Sequence, residues 1–211
     1  MSTNTRFIVF EGIDGAGKTT QINLLLARLE KLGIFCKTTA EPTDMPSGKE
    51  IRRALSGELK KTPLEMAEMF ARDRALHNTH KELGINKMQS DGFSVISDRY
   101  YYSSLAYQGA ALGYDTVARL NLENPDIRMP DLCIFLDLSP EKSLERIGER
   151  GEAKEIYENY DYLTRTRAMF FDVFDRLKAR GERIVVIDAS GSVNEVADKV
   201  FEAAMSIYDP Q

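Results

Sequence analysis

The stretch FIVFEGIDGAGKTTQ, residues 7–21, predicts how this chain begins to fold. Its first four residues are all apolar, which is typical of a short strand buried on both faces of a sheet. Residues 12–19, GIDGAGKT, fit the pattern G-x-x-x-x-G-K-[ST] without a gap. Behind them, apolar residues recur with the spacing of an amphipathic helix at Ile22, Leu25, Leu26 and Leu29. A strand, a glycine-rich turn and a helix start are the context that a phosphate-binding loop (P-loop) requires.

The P-loop pattern predicts a site for a nucleoside triphosphate. Glycines leave room for backbone N–H groups to surround phosphate oxygens, and the helix N-terminus adds partial positive charge. Lys18 supplies a mobile ammonium group, and the hydroxyl of Thr19 is a ligand for Mg²⁺. We therefore predict that the triphosphate contacts Gly12, Gly15, Ala16, Gly17, Lys18, Thr19 and Thr20.

Length and composition indicate a single globular domain. The 211 residues are enough for one α/β domain with a substantial core, or for such a domain with a small lid. A net charge of -5 and a pI near 5.3 argue against a nucleic-acid-binding protein, which needs a basic face. No window approaches a run of 18 apolar residues, so we expect a cytoplasmic protein without a membrane segment.

The cysteines and histidines do not indicate a metal site. Cys36 and Cys133 each lie in an apolar or strand-like run, as expected of small core residues in a reduced compartment. His77 and His80 have no cysteine or acidic partner at the spacing that a zinc site requires. We therefore expect neither a disulfide nor a zinc ion.

Strands alternate with helices along the chain. Further strands are predicted at residues 34–39, 93–97, 132–136 and 183–187. Helices are predicted at residues 48–55, 63–83, 104–112, 140–147, 160–180 and 193–207. Strands separated by helices favour right-handed crossovers, and hence an α/β fold with a five-stranded parallel sheet that has helices on both faces. Ligands then bind at the C-terminal ends of the strands.

Two segments help to distinguish the classes of P-loop protein. A GTPase would need the run N-K-x-D, and residues 86–89, NKMQ, lack its acid, so we interpret them as a solvated loop. Asp98 and Arg99 follow the third strand, at the sheet edge that also carries the P-loop. An acid there could hold Mg²⁺ through water, and an arginine could bridge two phosphates, which favours a kinase. The alternative class is a switch that binds nucleotide without transferring phosphate.

Residues 98–109 resemble the signature of a known family. Their pattern, D-R-Y-x-x-S-S-x-A-Y-Q-G, is similar to that of the thymidylate kinases, which transfer the γ-phosphate of ATP to dTMP. Residues 69–77 resemble the thymine-binding helix of that family, and residues 187–190 resemble its segment beside the adenine. The resemblance implies a three-layer P-loop nucleoside monophosphate kinase fold, with one domain over residues 1–211 and a lid at about residues 146–160.

The resemblance implies a role for each residue around the base and sugar of dTMP. Phe70 would stack on the thymine ring, and Arg74, four residues later on the same helix face, would donate to thymine O4. Ser104 and Gln108 would form hydrogen bonds with the edge of the base. Tyr107 would occupy the space of a ribose 2′-OH and so favour deoxyribose.

The same resemblance implies the residues on the phosphate side. Asp14 would accept a hydrogen bond from the 3′-OH of dTMP, and Arg52 and Arg99 would hold its phosphate, with Pro42 beside them. Beyond the P-loop, the implied residues on the ATP side are Arg146 and Ser190. The implied catalytic residues are Lys18, Asp98, Arg99 and Arg150, and the implied Mg²⁺ ligands are Thr19 and Asp98.

Two departures from the family pattern affect the phosphate site. Some members carry an arginine inside the P-loop where this chain has Gly15, so the resemblance implies an arginine from the lid instead. Arg150 stands before a glycine as in relatives, and Arg146 is the alternative, while an arginine in the lid of some relatives is replaced by Ile156. Residues 40–44, AEPTD, stand where many bacterial members read R-E-P-G-G.

The resemblance also implies the partners of the chain. They are ATP and dTMP as substrates, Mg²⁺ as the metal and a second copy of the chain in a homodimer, with neither nucleic acid nor a membrane among them. The nearest alternative among enzymes is a P-loop kinase that acts on dUMP or on a deoxynucleoside.

Overall fold

A parallel sheet forms the centre of the molecule. The computed structural model describes residues 5–148 and 156–208, with the backbone alone for residues 156–159. Within these residues the strand order is β2-β3-β1-β4-β5, and every pairing is parallel. The predicted five-stranded parallel sheet is confirmed. The strands are β1 Phe7–Glu11, β2 Cys36–Ala40, β3 Ser94–Asp98, β4 Leu132–Asp137 and β5 Ile184–Asp188.

Helices connect the strands and cover both faces of the sheet. They are α1 Lys18–Lys31, α2 Pro46–Leu55, α3 Pro63–Thr79, α4 Ile85–Ser90, α5 Tyr101–Leu112, α6 Tyr114–Leu122, α7 Pro140–Gly148, α8 Ile156–Lys178 and α9 Val193–Met205.

Strand β1 lies at the centre of the core, and all its residues are completely buried. Because side chains alternate along a strand, its apolar residues divide between the two faces. Ile8 and Phe10 belong to the cluster formed with α1 and α9, whereas Phe7 and Val9 belong to the cluster formed with α5 and α8. Helix, sheet and helix therefore form three layers, and the predicted strand buried on both faces is confirmed.

The strand register brings the C-terminal ends of three strands together. Phe10 of β1 is paired with Asp98 of β3, and Ala40 of β2 is paired with the same aspartate. The segments that follow these residues are the P-loop, residues 41–44 and residues 99–100. All three therefore begin at one edge of the sheet, where ligands of parallel sheets bind.

The helical connections differ from the prediction between β2 and β3. The helix predicted at residues 63–83 ends at Thr79. Residues 86–89, predicted to be a solvated loop, belong to α4. Ile85 and Met88 of this short helix pack into the cluster on the α5 side, and burial of these side chains outweighs the polar composition around them. Helix α6 is not among the predicted helices.

The cysteines are free thiols, and Cys133 is buried as predicted while Cys36 is partly buried. Among the described residues, no group of three or more His, Cys, Asp or Glu side chains has a geometry that could hold a metal ion. The helices of that part of the chain include none with the length and apolar character to cross a membrane.

Candidate active site

The P-loop passes over the N-terminus of α1. Gly15 and Gly17 have φ angles of 78° and 91°, a left-handed conformation that glycine adopts without strain. Helix α1 begins at Lys18, its cap makes no side-chain hydrogen bond, and no acid lies in its first turn. Thr19 and Thr20 are exposed there. Because the described side chains leave this helix end uncapped, its N–H groups and partial positive charge favour an anion.

Lys18 reaches back across the P-loop. Its Nζ donates to the carbonyl oxygen of Gly12 at 3.2 Å. Burial, and then the charge of Arg99, lower the pKa of Lys18, while Asp98 and Asp14 oppose the shift. A poorly solvated ammonium group gains more from an added negative charge than a hydrated one does. The position therefore suits contact with phosphate.

Asp98, the last residue of β3, has a carboxylate oxygen without a partner. Its Oδ1 is buried, and no described residue donates a hydrogen bond to it. A buried acceptor left unpaired is costly, which fits a site that water or a ligand completes. Mg²⁺ keeps several waters and takes one or two carboxylates together with substrate phosphates. Asp98, through water, and the Thr19 hydroxyl are therefore a donor set that fits Mg²⁺.

Arg99 leaves the sheet in a strained conformation. Its φ angle of 70° is rare for a residue other than glycine. Nη2 donates to Asp14 Oδ1 at 2.7 Å, and Nη1 donates to Ser103 Oγ at 3.0 Å. The guanidinium group also lies over the ring of Tyr107, 5.7 Å from its centroid. These contacts hold its charge beside the P-loop residue Asp14.

Glu11 is a site residue that is not among the predicted ones. Its Oε1 accepts the backbone N–H of Tyr100 at 2.9 Å and that of Ser103 at 3.1 Å, and its Oε2 accepts the Ser103 hydroxyl at 2.7 Å. The carboxylate is completely buried, and this burial raises its pKa although Arg99 Nη1 is 4.0 Å away. The only sequence signal is an acid at the end of an apolar strand, and Tyr100 lies 89 residues later.

A cavity of about 320 Å³ opens beside the P-loop. This volume is at the lower end of the range for sites that bind small molecules. Its walls combine aromatic rings with a few polar groups. Apart from Arg52, the residues predicted on the dTMP side line this cavity together: Asp14, Pro42, Phe70, Arg74, Arg99, Ser104, Tyr107 and Gln108.

Arg52 contacts the cavity wall from outside. Its Nη1 donates to the carbonyl of Thr43 and its Nη2 to the carbonyl of Pro42, both at 2.6 Å. Asp44 lies 3.1 Å from Nη2. Arg52 is itself exposed, so its contact with the cavity is through the backbone of the segment that it holds.

Arg74 is 1% exposed and is held on several sides. Its Nε donates to Glu41 Oε2 at 2.7 Å, its Nη2 to Ser104 Oγ at 3.2 Å, and its Nη1 to Asn121 Oδ1. Nη2 also lies 2.6 Å from Glu41 Oε2, so four of the five N–H donors of the guanidinium group have partners and one N–H of Nη1 is left. Glu41 and Asn121 are not among the predicted site residues, and Asn121 lies 47 residues from Arg74 in sequence.

Buried polar contacts connect helix α3 to the segment after β2. Glu41 Oε1 is 2.9 Å from Nδ1 of His77, and Nε2 of that ring is 2.6 Å from Thr39 Oγ1. Asp73 accepts from the backbone N–H and the hydroxyl of Thr43 at 2.8 and 2.7 Å. These bonds hold the cavity wall in place, since each joins two elements of the structure.

Gln108 and two tyrosines also line the cavity. Oε1 of Gln108 is buried and has no donor among the described residues. The Tyr107 ring stacks on that of Tyr162, with centroids 6.3 Å apart, and burial raises the pKa of Tyr107 to about 12. Its hydroxyl therefore stays protonated at neutral pH. Tyr162, on α8, is a further lining residue and is not among the predicted site residues.

Comparison with known proteins decides the family. The family model described as thymidylate kinase matches residues 10–200. The chain belongs to the thymidylate kinase family. A thymidylate kinase of Leptospira interrogans is 36% identical over 197 residues, which are 93% of this chain and 92% of that protein. A probable thymidylate kinase of Archaeoglobus fulgidus is 38% identical over 193 residues, 92% of this chain and 91% of that protein.

Membership of the thymidylate kinase family agrees with the architecture. The predicted family is confirmed, and so is the predicted P-loop nucleoside monophosphate kinase-like α/β fold. The predicted enzyme class is confirmed as well, since a thymidylate kinase is a nucleoside monophosphate kinase and thus a phosphotransferase.

Gly15 is the P-loop position at which some thymidylate kinases carry an arginine. A Cβ at Gly15 would lie 2.9 Å from the carbonyl oxygen of Ser143 and 3.4 Å from Cγ1 of Ile147. The Ser143 hydroxyl also donates to the carbonyl of Asp14. Helix α7 therefore packs against the P-loop so closely that a larger residue would require this helix to move.

Arg146 lies between the P-loop and the segment after β5. Its Nη1 donates to the Gly15 carbonyl at 3.5 Å, and its Nη2 to the Ala189 carbonyl at 3.0 Å. Ser190 is exposed beside it. Arg150, the other candidate lid arginine, lies outside the described residues, as do all of residues 149–155 within the lid predicted at residues 146–160.

Proposed function

We propose that this chain transfers the γ-phosphoryl group of ATP to dTMP with the help of Mg²⁺, giving ADP and dTDP. The observation that carries the proposal is the cavity beside the P-loop, which is lined by the aromatic ring of Phe70, by Arg74 and by Gln108, whose amide oxygen has no donor among the described residues. A thymine base offers a ring face, a carbonyl at O4 and a donor at N3, and these three groups complement the cavity.

The base-binding role of the cavity rests on three residues. Phe70 is partly exposed on the cavity wall and offers a ring face for stacking. The free Nη1 N–H of Arg74 would donate to thymine O4, and Oε1 of Gln108 would accept from N3–H. Both groups are buried, so a base that left either unpaired would bind less well.

The sugar and phosphate would lie between Tyr107 and the P-loop. Tyr107 fills the wall where a ribose would carry its 2′-OH, and Asp14 would accept from the 3′-OH. Arg99 would hold the phosphate of dTMP, because its guanidinium group is fixed at Asp14 and Ser103 on the edge of the cavity. Arg52 would support this end through Pro42.

Phosphoryl transfer needs positioning and charge neutralisation more than covalent work by the protein. The P-loop N–H groups and Lys18 would hold the outer phosphates of ATP, and Arg99 would bring the acceptor oxygen towards them. Arg146 and Ser190 would flank the nucleoside of ATP. Thr19 and Asp98 would hold Mg²⁺, which neutralises charge on the phosphates when it is bound.

The remaining features of the proposal come from the family resemblance. We include a single domain over residues 1–211, a lid at about residues 146–160 that supplies Arg150 or Arg146, a homodimer and a cytoplasmic location. Size-exclusion chromatography with light scattering tests the homodimer, since the dimer and the monomer differ twofold in mass.

A coupled assay of ADP release tests the proposed reaction. Purified protein is supplied with MgATP and, in separate reactions, dTMP, dUMP, thymidine and AMP. We expect dTMP to have the highest kcat/KM, dUMP to be weaker for lack of the methyl group, and thymidine and AMP to be inactive. Lys18→Ala is the control for a contaminating kinase. Equal or greater activity with another acceptor would contradict dTMP as the substrate, and no dTMP-dependent ADP release would contradict phosphotransfer.

A further inference from the structure

Helix α5 depends on a distant residue for its N-terminal cap. Its N-cap is Tyr100, whose side chain makes no capping hydrogen bond. In most helices a side-chain oxygen at the N-cap accepts from the N–H three positions later. Here that N–H belongs to Ser103, and it donates to Glu11 Oε1 at 3.1 Å. The N–H of Tyr100 donates to the same oxygen at 2.9 Å. Strand β1 thus supplies the acceptor that helix α5 lacks.

The hydroxyl of Ser103 joins this cap to Arg99. It donates to Glu11 Oε2 at 2.7 Å and accepts from Arg99 Nη1 at 3.0 Å. The hydroxyl proton is thereby committed to the carboxylate, and a lone pair faces the guanidinium group. Arg99 thus donates to Ser103, and Ser103 donates to Glu11, which is completely buried.

The two side chains that accept hydrogen bonds from the Arg99 guanidinium group, Asp14 and Ser103, differ in how strongly they are held in place. Asp14, which accepts from Nη2, has a side chain that is 69% exposed, so little packing constrains it. Ser103 lies in the first turn of α5, and its hydroxyl is fixed on a buried carboxylate. Arginine loses much side-chain freedom when it is held in one geometry, so the more firmly held acceptor decides where its guanidinium group stays.

We propose that Ser103 and Glu11 are positioning residues for Arg99. They hold its guanidinium group at the acceptor-phosphate end of the cavity before dTMP binds, and they connect its position to the strand that leads into the P-loop. This inference rests on the proposed role of Arg99 in dTMP binding. Glu11 is completely buried, and Ser103, which lines the cavity, has its hydroxyl between Glu11 and Arg99. We therefore expect their effect on turnover to pass through Arg99.

Removal of the Ser103 hydroxyl is the first test. Hydrogen bonds to charged groups are worth enough to change affinity by about 10-fold or more, so Ser103→Ala should weaken dTMP binding by about that factor. The KM for ATP should stay within about twofold, because the P-loop contacts are unchanged. Ser103→Thr keeps a hydroxyl at the same position and should recover most of the dTMP affinity. Calorimetric titration and steady-state kinetics give the two readouts.

Ser206→Ala is the matched control for the loss of a serine hydroxyl. That hydroxyl donates to the Ala203 carbonyl at 2.7 Å near the end of α9, which lies in the core cluster on the other face of the sheet. The control should leave the affinities for dTMP and ATP unchanged. Glu11→Gln provides a second variant: it keeps an acceptor for the α5 cap but removes the charge, and it should also weaken dTMP more than ATP.

A double-mutant cycle with Arg99→Ala distinguishes the outcomes. If Ser103 acts through Arg99, Ser103→Ala should have no further effect on dTMP affinity in the Arg99→Ala background. An equal loss in both backgrounds, or no loss in either, would overturn the inference. If Arg99→Ala alone leaves dTMP affinity unchanged, the proposed role of Arg99 is wrong. If Arg99→Ala weakens dTMP while Ser103→Ala and Glu11→Gln do not, Arg99 keeps its role and the positioning inference fails.

Discussion

Arg74 and Glu41 form an ion pair with an N–O distance of 2.6 Å, and neither side chain is more than 3% exposed. Removing one partner of a buried pair leaves the other charge uncompensated, which costs about 3–5 kcal/mol in comparable cases. We expect Glu41→Gln to lower the free energy of unfolding by about 3 kcal/mol, measured by urea denaturation. The control is Asp198→Asn, which breaks the ion pair between Asp198 and Arg28. The Asp198 side chain is 70% exposed, so this variant should lower the free energy of unfolding much less. Equal effects of the two variants would contradict the importance of burial.

Phe70→Ala should weaken dTMP far more than ATP. Stacking of a base on an aromatic side chain contributes about 1–3 kcal/mol in single-strand binding proteins, which corresponds to about 5- to 150-fold in affinity. Calorimetric titration with each nucleotide measures the two losses. The control is Phe201→Ala. It truncates a partly buried ring on α9 that lies beside Arg28 of α1, and it should leave both affinities unchanged. A loss shared equally by dTMP and ATP would mean that Phe70 supports the fold rather than the base.

Tyr107 should exclude a 2′-OH by its ring rather than by its hydroxyl. The ring is held between Tyr162 and Phe170, with centroid distances of 6.3 and 5.9 Å. We expect Tyr107→Phe to keep the preference for deoxyribose and Tyr107→Gly to reduce it. The comparison is kcat/KM for dTMP and for ribothymidine monophosphate. An unchanged ratio in the glycine variant would contradict the steric role.

A lid arginine should supply the charge that Gly15 cannot. An arginine on the transferring group contributes about 10³–10⁵ in kcat in related phosphoryl-transfer enzymes. We expect Arg150→Ala to lower kcat by at least about 100-fold with a smaller change in the KM for dTMP. Arg150→Lys should recover part of the loss, since an ammonium group cannot bridge two oxygens with a planar fork.

Arg146→Ala is the matched variant for the lid prediction. Its contacts with the carbonyls of Gly15 and Ala189 indicate a role at the ATP side, so it should lower kcat less than Arg150→Ala does. Single-turnover rates separate the chemical step from product release. If Arg146→Ala lowered kcat more than Arg150→Ala, Arg146 would be the arginine that acts on the transferring group. If both variants had normal single-turnover rates, neither arginine would supply the charge.

The carboxyl group of Glu182 should make stability depend on pH. It accepts the hydroxyls of Tyr101 and Tyr102 at 2.7 and 2.6 Å, and burial raises its pKa above the ordinary value of 4.5. The native state therefore holds this proton more tightly than the unfolded chain does. Its contribution to stability is complete below about pH 4.5 and is lost as pH rises through the raised pKa.

Glu182→Gln removes this titration and keeps an acceptor for the two tyrosines. We expect the free energy of unfolding of the variant, relative to the wild type, to increase as pH rises from 4.5 through the raised pKa of Glu182. Urea denaturation at several pH values measures the difference, which also cancels the titration of all other groups. A difference that does not change with pH would contradict the prediction.

Local patterns predict the parts of the site that lie within one segment. The P-loop, the Phe70 and Arg74 pair and the run from Asp98 to Gln108 each carry their signal in fewer than a dozen residues. Residues that act on another segment carry no such signal. Asn121 meets Arg74 because α6 packs beside α3, and Tyr162 meets Tyr107 because α8 packs beside α5.

The misread helix has the same physical cause. Residues 86–89 look polar in isolation, and α4 forms because Ile85 and Met88 find an apolar surface on the sheet. Burial against a distant element decided the local structure of α4. The carboxylates of Glu11 and Glu41 are likewise buried by contacts with distant segments. A single sequence records the residue types but not the surface that each one meets.

The pairing of β1 with β3 fixes the distance between the segments that follow the two strands. Phe10 is paired with Asp98, and β4 pairs with the other edge of β1, so this central strand cannot slide without breaking buried backbone hydrogen bonds. A slip of two residues would carry Arg99 about 6.6 Å along the sheet, roughly twice the gap across which reacting atoms meet. The distance between the P-loop and the segment that begins at Arg99 is therefore set by the strand register, which changes only in whole residues. If these two segments approach each other during turnover, the movement must occur in the loops beyond the strand ends.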